Sequence, residues 1–231
     1  MEQEPEVYWN CFKDGLIEVL EKAAVDSSEI IALSVSAQGE TIIFLDQNGK
    51  PLYNAIVWMD NRAQAESDEL TDKFGNEKIH AVTGQVEMMA MWPAAKIKWL
   101  KNHEPEIYAK TAKYLLLEDY FFYRLGGSFY GEGSLWCSTI MWDITTKQYW
   151  KEMLDELGVT SDQLPQIVES STPIGTILSD VAKELGLSPS LKLVMGGLDQ
   201  SCGAIGVGNV CEGIFSESTG AALAVCAMAG K

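Results

Sequence analysis

The apolar residues of the chain switch between helical and strand spacing, which is typical of an α/β protein. Residues 5–25 are predicted to form an amphipathic helix, because apolar positions recur there every three or four residues. These positions are Trp9, Phe12, Leu16, Val19, Leu20 and Ala23. Short apolar runs of strand length lie at residues 30–35, 41–45, 55–58, 114–117, 191–195, 213–217 and 221–227.

Further helices are predicted between these runs. A polar helix should open at residues 59–63 with Asp60 or Asn61 as its cap, and another should start at Pro93. The remaining helical segments are the one that starts at residues 104–105, then residues 119–125, 143–157, 179–185 and 204–208. Residues 126–138 are rich in Gly and Ser, and residues 164–175 are predicted to be a linker.

The apolar content and the net charge of the chain make some classes of function less favourable than others. The chain has 231 residues, 47% of them hydrophobic, so it can bury a large core as one domain or two small ones. Its formal net charge of -16 disfavours binding to nucleic acid or to an anionic membrane surface, and a small neutral substrate fits better. The N-terminus is acidic and no apolar stretch is long enough to span a bilayer, so we expect a cytoplasmic protein.

Cysteine and histidine are too few and too scattered for a metal centre or a disulfide framework. The five cysteines include no Cys-x-x-Cys pair, so reduced and mostly buried thiols are expected. The two histidines, His80 and His103, are predicted to lie on the surface. Glu77 and His80 form a single Glu-x-x-His pair, which we interpret as a solvated helix face. No metal-ligating residues are therefore assigned.

Asp199 is the strongest candidate for a reactive group. It follows two glycines at the predicted end of a strand and precedes a helix of small residues. A carboxylate there can accept a hydroxyl proton as a general base or bind a metal ion. The alternative is that Asp199 only caps the helix that follows it.

Three other positions offer polar or aromatic contacts to a ligand. Gln38 and Glu40 provide acceptors for a polyol in a break between two strands, although the break can also be a plain turn. Trp58 provides an apolar face for a sugar or simply packs in the core. The segment of residues 218–220 can cradle a phosphate, although many hairpins use the same residues.

Together and in this order, these segments resemble the FGGY carbohydrate kinases, which phosphorylate sugars and polyols. The matching segments read IIALSVSAQGET at residues 30–41, AIVWMDNRA at 55–63, KIKWL at 96–100 and GLDQS at 197–201. Residues 46–51, 83–84, 164–165 and 175 also match, so the resemblance covers nearly the whole chain.

The resemblance implies an α/β fold of the actin-like, hexokinase-like (ribonuclease H-like) ATPase class. In such proteins sugar and ATP bind between two domains, and Mg²⁺-bound ATP donates its γ-phosphate to a sugar hydroxyl. Asp199 resembles the family's catalytic base. The substrate-binding positions implied by the resemblance are Gln38, Gly39, Glu40, Trp58, Asp60, Met91 and Gln200, and those near the ATP phosphates are Ser218, Thr219 and Gly220.

The chain also departs from the family pattern. Glycerol kinases have Gln-Arg-Glu where this chain has Gln38-Gly39-Glu40, and xylulokinases tend to have Gln-Met-His. The family's opening Asp-x-Gly-Thr strand is not found before Pro5, and the chain stops at Lys231. We therefore expect residues 1–231 to be the N-terminal sugar-binding domain without its first strands and without the nucleotide-binding domain, and a poor catalyst alone.

Two functions are carried forward. The first is ATP- and Mg²⁺-dependent phosphorylation of a small sugar, with a pentulose such as xylulose favoured. The second is a non-catalytic sugar-binding or self-associating module, in which an uncovered sheet edge or apolar face leads to self-association, for example as a homodimer. An actin-like ATPase without a sugar substrate is disfavoured, because Gln38, Glu40 and Trp58 match the sugar side of the family.

Overall fold

The computed structural model of the chain describes residues 1–220 and 223–229. Short 3-10 turns lie at Ser27–Glu29, Cys137–Thr139 and Ser161–Gln163. The α-helices within these residues are α1 (Pro5–Ala23), α2 (Gln64–Phe74), α3 (Asn76–Thr83), α4 (Pro93–His103), α5 (Pro105–Lys110), α6 (Leu117–Gly126), α7 (Gly133–Trp136), α8 (Lys151–Leu157), α9 (Ser179–Leu185) and α10 (Asp199–Gly206). None of the described helices is both long enough and apolar enough to cross a membrane.

The strands form two larger sheets and three pairs. The larger sheets have the orders β1-β4-β3-β5 and β10-β11-β2, and the pairs are β6-β9, β7-β8 and β12-β13. The strands are β1 (Glu2–Gln3), β2 (Ala32–Ala37), β3 (Ile42–Leu45), β4 (Ala55–Ile56), β5 (Lys113–Leu116), β6 (Tyr130–Glu132), β7 (Trp142–Asp143), β8 (Gln148–Tyr149), β9 (Gln166–Val168), β10 (Pro173–Thr176), β11 (Lys192–Leu198), β12 (Phe215–Thr219) and β13 (Leu223–Ala227).

Strand β3 is buried on both of its faces. Ile42 and Phe44 pack into the largest apolar cluster of the described residues, whereas Ile43 and Leu45 pack into a second cluster that includes Leu115. Successive side chains of a strand point to opposite faces, so a continuous apolar run is what such a position requires. The predicted strand at residues 41–45 is therefore confirmed, with its first residue at Ile42.

The sheet β10-β11-β2 places the ends of two strands side by side. Strands β11 and β2 are parallel neighbours, with Leu193 opposite Leu33 and Leu198 opposite Ala37. A Cβ atom on Gly196 would lie 1.7 Å from the carbonyl oxygen of Val35, so only glycine permits this approach. The segments that follow β2 and β11 consequently emerge at the same edge of the sheet.

The helix predicted at residues 5–25 is confirmed and ends at Ala23. Trp9 is buried against Phe12 and Phe121, and Leu16 and Leu20 pack partly against the same cluster. Val19, which was expected on the apolar face, is 61% exposed. The described residues therefore cover only part of the apolar face of α1.

Two predictions for the middle of the chain are wrong. Residues 143–157 are helical only over Lys151–Leu157, because the Asp143 carboxylate accepts hydrogen bonds from the amides of Thr145 and Thr146 and stabilises a turn between β7 and β8. Residues 164–175 are not a linker. They include β9, which pairs with β6, and most of β10, which pairs with β11.

The helix expected to open at residues 59–63 starts later, at Gln64, with Ala63 preceding it. Neither Asp60 nor Asn61 caps it, and that prediction is wrong. The Asp60 carboxylate instead accepts hydrogen bonds from the Arg62 side chain, from Nε at 2.8 Å and from Nη2 at 2.9 Å. The Arg62 amide also donates a hydrogen bond to Asp60 Oδ1 at 2.9 Å, so the Asp60 side chain stabilises a turn over residues 60–62.

The described histidines and cysteines are only partly as expected. His80 and His103 are exposed, as predicted. All five cysteines are free, but the prediction that most are buried is wrong. Cys11 and Cys211 are exposed and the other three are half-buried. The final predicted strand at residues 221–227 is observed from Leu223, and residues 221–222 lie outside the described residues.

Candidate active site

Asp199 lies at the boundary between strand and helix. It is the first residue of α10, immediately after β11, and it is exposed. Leu198, not Asp199, occupies the N-cap position. The Oδ1 atom of Asp199 accepts a hydrogen bond from the Gln200 amide at 2.9 Å. The carboxylate is thus oriented by its own helix while it remains open to a ligand.

The loop of residues 38–40 follows the neighbouring strand β2 and packs against the end of β11. A Cβ atom on Gly39 would lie 3.3 Å from Leu198 Cδ1 and 3.3 Å from Ser138 Oγ. Such contact is tighter than usual for a side chain, so glycine allows the loop to lie close to Asp199. The two segments singled out from the sequence are therefore adjacent in the fold.

Glu40 is half-buried beside Asp199. Burial raises the pKa of the Glu40 carboxyl, the neighbouring Ser138 hydroxyl and the charge of Lys96 lower it, and the charge of Asp199 raises it again. Glu40 has a positive φ of 52°, which is uncommon for a residue with a side chain. The carboxyl group is held at a defined place by packing and charge rather than left free in solvent.

Gln38 and Trp58 are joined by one hydroxyl group. The Oγ1 atom of Thr41 accepts hydrogen bonds from Gln38 Nε2 at 2.9 Å and from the Trp58 amide at 3.1 Å. Trp58 is half-buried just after β4, so part of its ring is available for contact. The segment of residues 57–58 is thereby linked to the loop of residues 38–40.

A cluster of buried carboxyl groups supports the end of β11. Glu118 Oε1 accepts a hydrogen bond from the Gly196 amide at 3.1 Å, and Glu132 Oε2 accepts one from the Ser134 amide at 2.7 Å. Burial is the main cause that raises the pKa of Glu118 to about 9 and that of Asp119 to about 8. Burial therefore favours the protonated, neutral form of both groups.

A cavity of about 300 Å³ joins Asp199 to the hairpin of β12 and β13. The residues that line it are Asp199, Gln200, Ser216, Glu217 and Ser218, together with small residues such as Gly203 and Ala224. The structure thus brings Asp199, Gln200 and Ser218 together.

Thr219 and Gly220 do not line this cavity. Thr219 is the last residue of β12, opposite Leu223, and both Thr219 and Gly220 are exposed. Met91 is half-buried just before α4. The Asp60 carboxylate is engaged by Arg62. The ligand contacts expected of these four residues remain predictions.

Sequence reasoning overlooked three residues that surround the candidate sugar contacts: Thr41, Lys96 and Ser138. Lys96 is fully buried in α4, where its Nζ atom donates hydrogen bonds to the carbonyl oxygens of Glu40 and Val57. Burial lowers the pKa of Lys96 to about 7, although the nearby Glu40 opposes this. The sequence contains a signal for this burial, because Lys96 lies four residues before Leu100 and therefore on the same apolar face of the helix.

Comparison with known proteins shows the family to which the chain belongs. Residues 1–206 match the N-terminal domain of the FGGY family of carbohydrate kinases. The xylulose kinase of Bacillus subtilis (strain 168) is 34% identical over 212 residues, which is 92% of this chain and 42% of that protein. The xylulose kinase of Lactococcus lactis is 32% identical over 221 residues, 94% of this chain and 44% of that protein.

Solved structures give the same fold. The gluconate kinase from Lactobacillus acidophilus superposes with a TM-score of 0.90 at 25% identity, over 97% of this chain and 45% of that one. The glycerol kinase from Plasmodium falciparum superposes with a TM-score of 0.87 at 26% identity, over 97% of this chain and 45% of that one. The predicted actin-like α/β fold class is confirmed. The chain spans less than half the length of these relatives, and it belongs to the FGGY family of carbohydrate kinases.

Proposed function

We propose that this protein transfers the γ-phosphate of ATP to a hydroxyl group of a small sugar, with a pentulose such as D-xylulose as acceptor. In this proposal the chain provides the sugar site and the catalytic base. Similarity to xylulose kinases supports the class of substrate. The observation that carries the proposal is the parallel pairing of β2 with β11, which sets the loop of residues 38–40 beside Asp199.

Asp199 is proposed to accept the proton of the attacking sugar hydroxyl. Its carboxylate is exposed and oriented by the Gln200 amide. General-base catalysis of this kind typically contributes about 10²- to 10⁴-fold to the rate. Glu40 and Gln38 are proposed to accept hydrogen bonds from other hydroxyl groups, and Trp58 to cover the carbon skeleton of the sugar. The substrate is then fixed with one hydroxyl group next to Asp199.

The phosphate end of the nucleotide is proposed to lie in the cavity beside Asp199. Among the described residues its lining includes Asp199, Ser216, Glu217 and Ser218, but no Lys or Arg. A polyphosphate there requires a cation, and oxygen donors are what Mg²⁺ prefers. Within residues 1–220 and 223–229 no group of three or more His, Cys, Asp or Glu could hold a metal ion. When bound, Mg²⁺-ATP supplies the phosphoryl group and neutralises its charge.

The test is isothermal titration calorimetry of the 231-residue chain with D-xylulose, D-gluconate and glycerol, and separately with Mg²⁺-ATP. We expect saturable binding of D-xylulose that weakens in a Glu40→Gln variant. Glu77→Gln, which changes an exposed glutamate on α3, is the matched control and should leave the affinity unchanged. Absence of binding to all three sugars would refute the proposal for this chain.

A second candidate function is self-association of a non-catalytic sugar-binding module. The outer face of the hairpin exposes Phe215, Leu223 and Val225, and the neighbouring residues Ile205 and Val207 are also exposed. Exposed apolar patches mark interaction surfaces in many proteins. Size-exclusion chromatography with light scattering should then show a homodimer whose fraction grows with concentration. A monomer at all concentrations would exclude this candidate.

A further inference from the structure

Two buried polar side chains join the segments that carry the candidate sugar contacts. Lys96 Nζ donates hydrogen bonds to the Glu40 carbonyl at 2.9 Å and to the Val57 carbonyl at 3.0 Å. Thr41 Oγ1 accepts hydrogen bonds from Gln38 Nε2 and from the Trp58 amide. Each of the two side chains therefore contacts both the loop of residues 38–40 and the segment of residues 57–58.

Burying the Lys96 side chain costs free energy, and a need to fill space does not explain that cost. Its side chain is fully buried in α4, and no carboxylate oxygen of residues 1–220 or 223–229 lies within 4.0 Å of its Nζ atom. Removing a charged group from water is unfavourable unless it is paired and hydrogen-bonded. A methionine would fill a similar volume without this penalty. The two carbonyl contacts are what the ammonium group provides.

The backbone at Glu40 needs external support. The Thr41 amide donates a hydrogen bond to the Gly39 carbonyl at 2.6 Å, which closes a three-residue turn with Glu40 at its centre and a φ of 52°. Turns of this kind with a positive φ are rare and strained. Strained residues persist where their surroundings hold them in place, and they concentrate at functional sites. Lys96 contacts this turn through the Glu40 carbonyl, and Thr41 is its last residue.

We propose that Lys96 and Thr41 are positioning residues that set the placement of Glu40 and Trp58 for the sugar. Both side chains are fully buried and act through the loop of residues 38–40 and the segment of residues 57–58. The inference rests on the proposed function, since it names the residues that shape the same sugar site. This positioning role explains why a lysine lies on the buried face of α4.

The test uses the full 231-residue chain and three single variants. Lys96→Met removes the ammonium group, and Thr41→Val removes the shared hydroxyl group at nearly constant volume. Thr41→Ser restores the hydroxyl group and serves as the conservative rescue. The matched control is Lys101→Met, because Lys101 lies on the same helix and donates to the Leu157 carbonyl at 3.2 Å, away from the site.

Calorimetry with D-xylulose separates a positioning role from a structural one. Unfolded protein lowers the apparent number of binding sites without changing the Kd of the folded fraction. Misplaced contacts raise Kd while the number of sites stays the same. We expect Kd to rise about tenfold in Lys96→Met and Thr41→Val, because lost or misplaced hydrogen bonds typically change affinity by about this factor. Thr41→Ser and Lys101→Met should bind like the wild type.

Hydrogen–deuterium exchange of the unliganded proteins tests the same inference without any sugar. We expect faster exchange of the amides of residues 37–42 and 56–60 in Lys96→Met and Thr41→Val, but not in Lys101→Met. If Lys96→Met does not fold, Thr41→Val alone tests the inference. If the wild type binds no D-xylulose, the proposed function fails, and the exchange data still decide whether the two residues hold these segments. Unchanged Kd or unchanged exchange in a folded variant overturns the inference.

Discussion

The buried carboxyl group of Glu118 should make the stability of the chain depend on pH. Burial, reinforced by the charges of Asp119 and Glu132, raises the pKa of Glu118 from 4.5 to about 9, although a hydrogen bond from Gly196 opposes this. The folded state therefore binds a proton that the unfolded state releases above pH 4.5. A group with a raised pKa favours folding at low pH, and this contribution is lost as pH rises through the window from about 4.5 to 9.

The size of the effect of Glu118 on the free energy of unfolding follows from the difference between the pH and the ordinary pKa of this residue. At pH 7, about 2.5 pH units above that value, keeping the proton costs about 3 kcal/mol at about 1.36 kcal/mol per unit. Glu118→Gln removes this cost, because the amide is neutral at every pH and keeps an oxygen acceptor for the Gly196 amide. The stability of the variant relative to the wild type should therefore rise by about 1.4 kcal/mol per pH unit between pH 5 and 8.

The assay is urea unfolding followed by circular dichroism at pH 5, 6, 7 and 8 for the wild type, Glu118→Gln and Glu106→Gln. Glu106 is an exposed acid on α5, so Glu106→Gln serves as the control. The free energy of unfolding of this variant should change with pH in parallel with that of the wild type. If Glu118→Gln also runs parallel to the wild type, Glu118 is ionised in the folded protein, and the reasoning from its burial is refuted.

Three further predictions concern the base, the strand contact and the core. In a full-length protein that contains these residues, Asp199→Asn should lower sugar-dependent ADP release by about 10²- to 10⁴-fold with little change in the D-xylulose Kd, and equal rates would contradict its role as base. Gly196→Ala places a Cβ atom 1.7 Å from the Val35 carbonyl, so calorimetry should show a Tm lower by several degrees, and an unchanged Tm would contradict the close approach. Phe44→Ala should cost about 3–5 kcal/mol in urea unfolding, against less than about 0.5 kcal/mol for the exposed Val86→Ala, and equal costs would contradict the assigned core.

Local chemistry made several elements predictable from sequence. The helix predicted at residues 179–185 is observed at Ser179–Leu185, and the helix predicted from Pro93 begins there. Proline suits the first turn of a helix, and apolar spacing reports the buried face. The segments at residues 30–41, 55–63, 96–100 and 197–201, in this order, were likewise enough for the resemblance to the FGGY family to be visible in the sequence.

Other features depend on partners that are distant in sequence. Strand β9 lies in a segment that resembles a linker, and it becomes a strand because its backbone pairs with β6. The irregular run after Asp143 forms a hairpin because one carboxylate binds two backbone amides. Neither effect has a periodic signal, because side-chain spacing reports which face is buried and not which backbone group lies opposite.

The sequence alone indicated the α/β class and singled out Glu40 and Asp199 as candidates, and its resemblance to the FGGY kinases indicated the family. Only the tertiary structure decided that β2 and β11 are neighbours, and that Lys96 and Thr41 hold Glu40 and Trp58. The physical reason is that buried hydrogen bonds join residues as far apart as Glu40 and Lys96. A buried ammonium group must find its partners in three dimensions, and the pattern along the chain does not specify them.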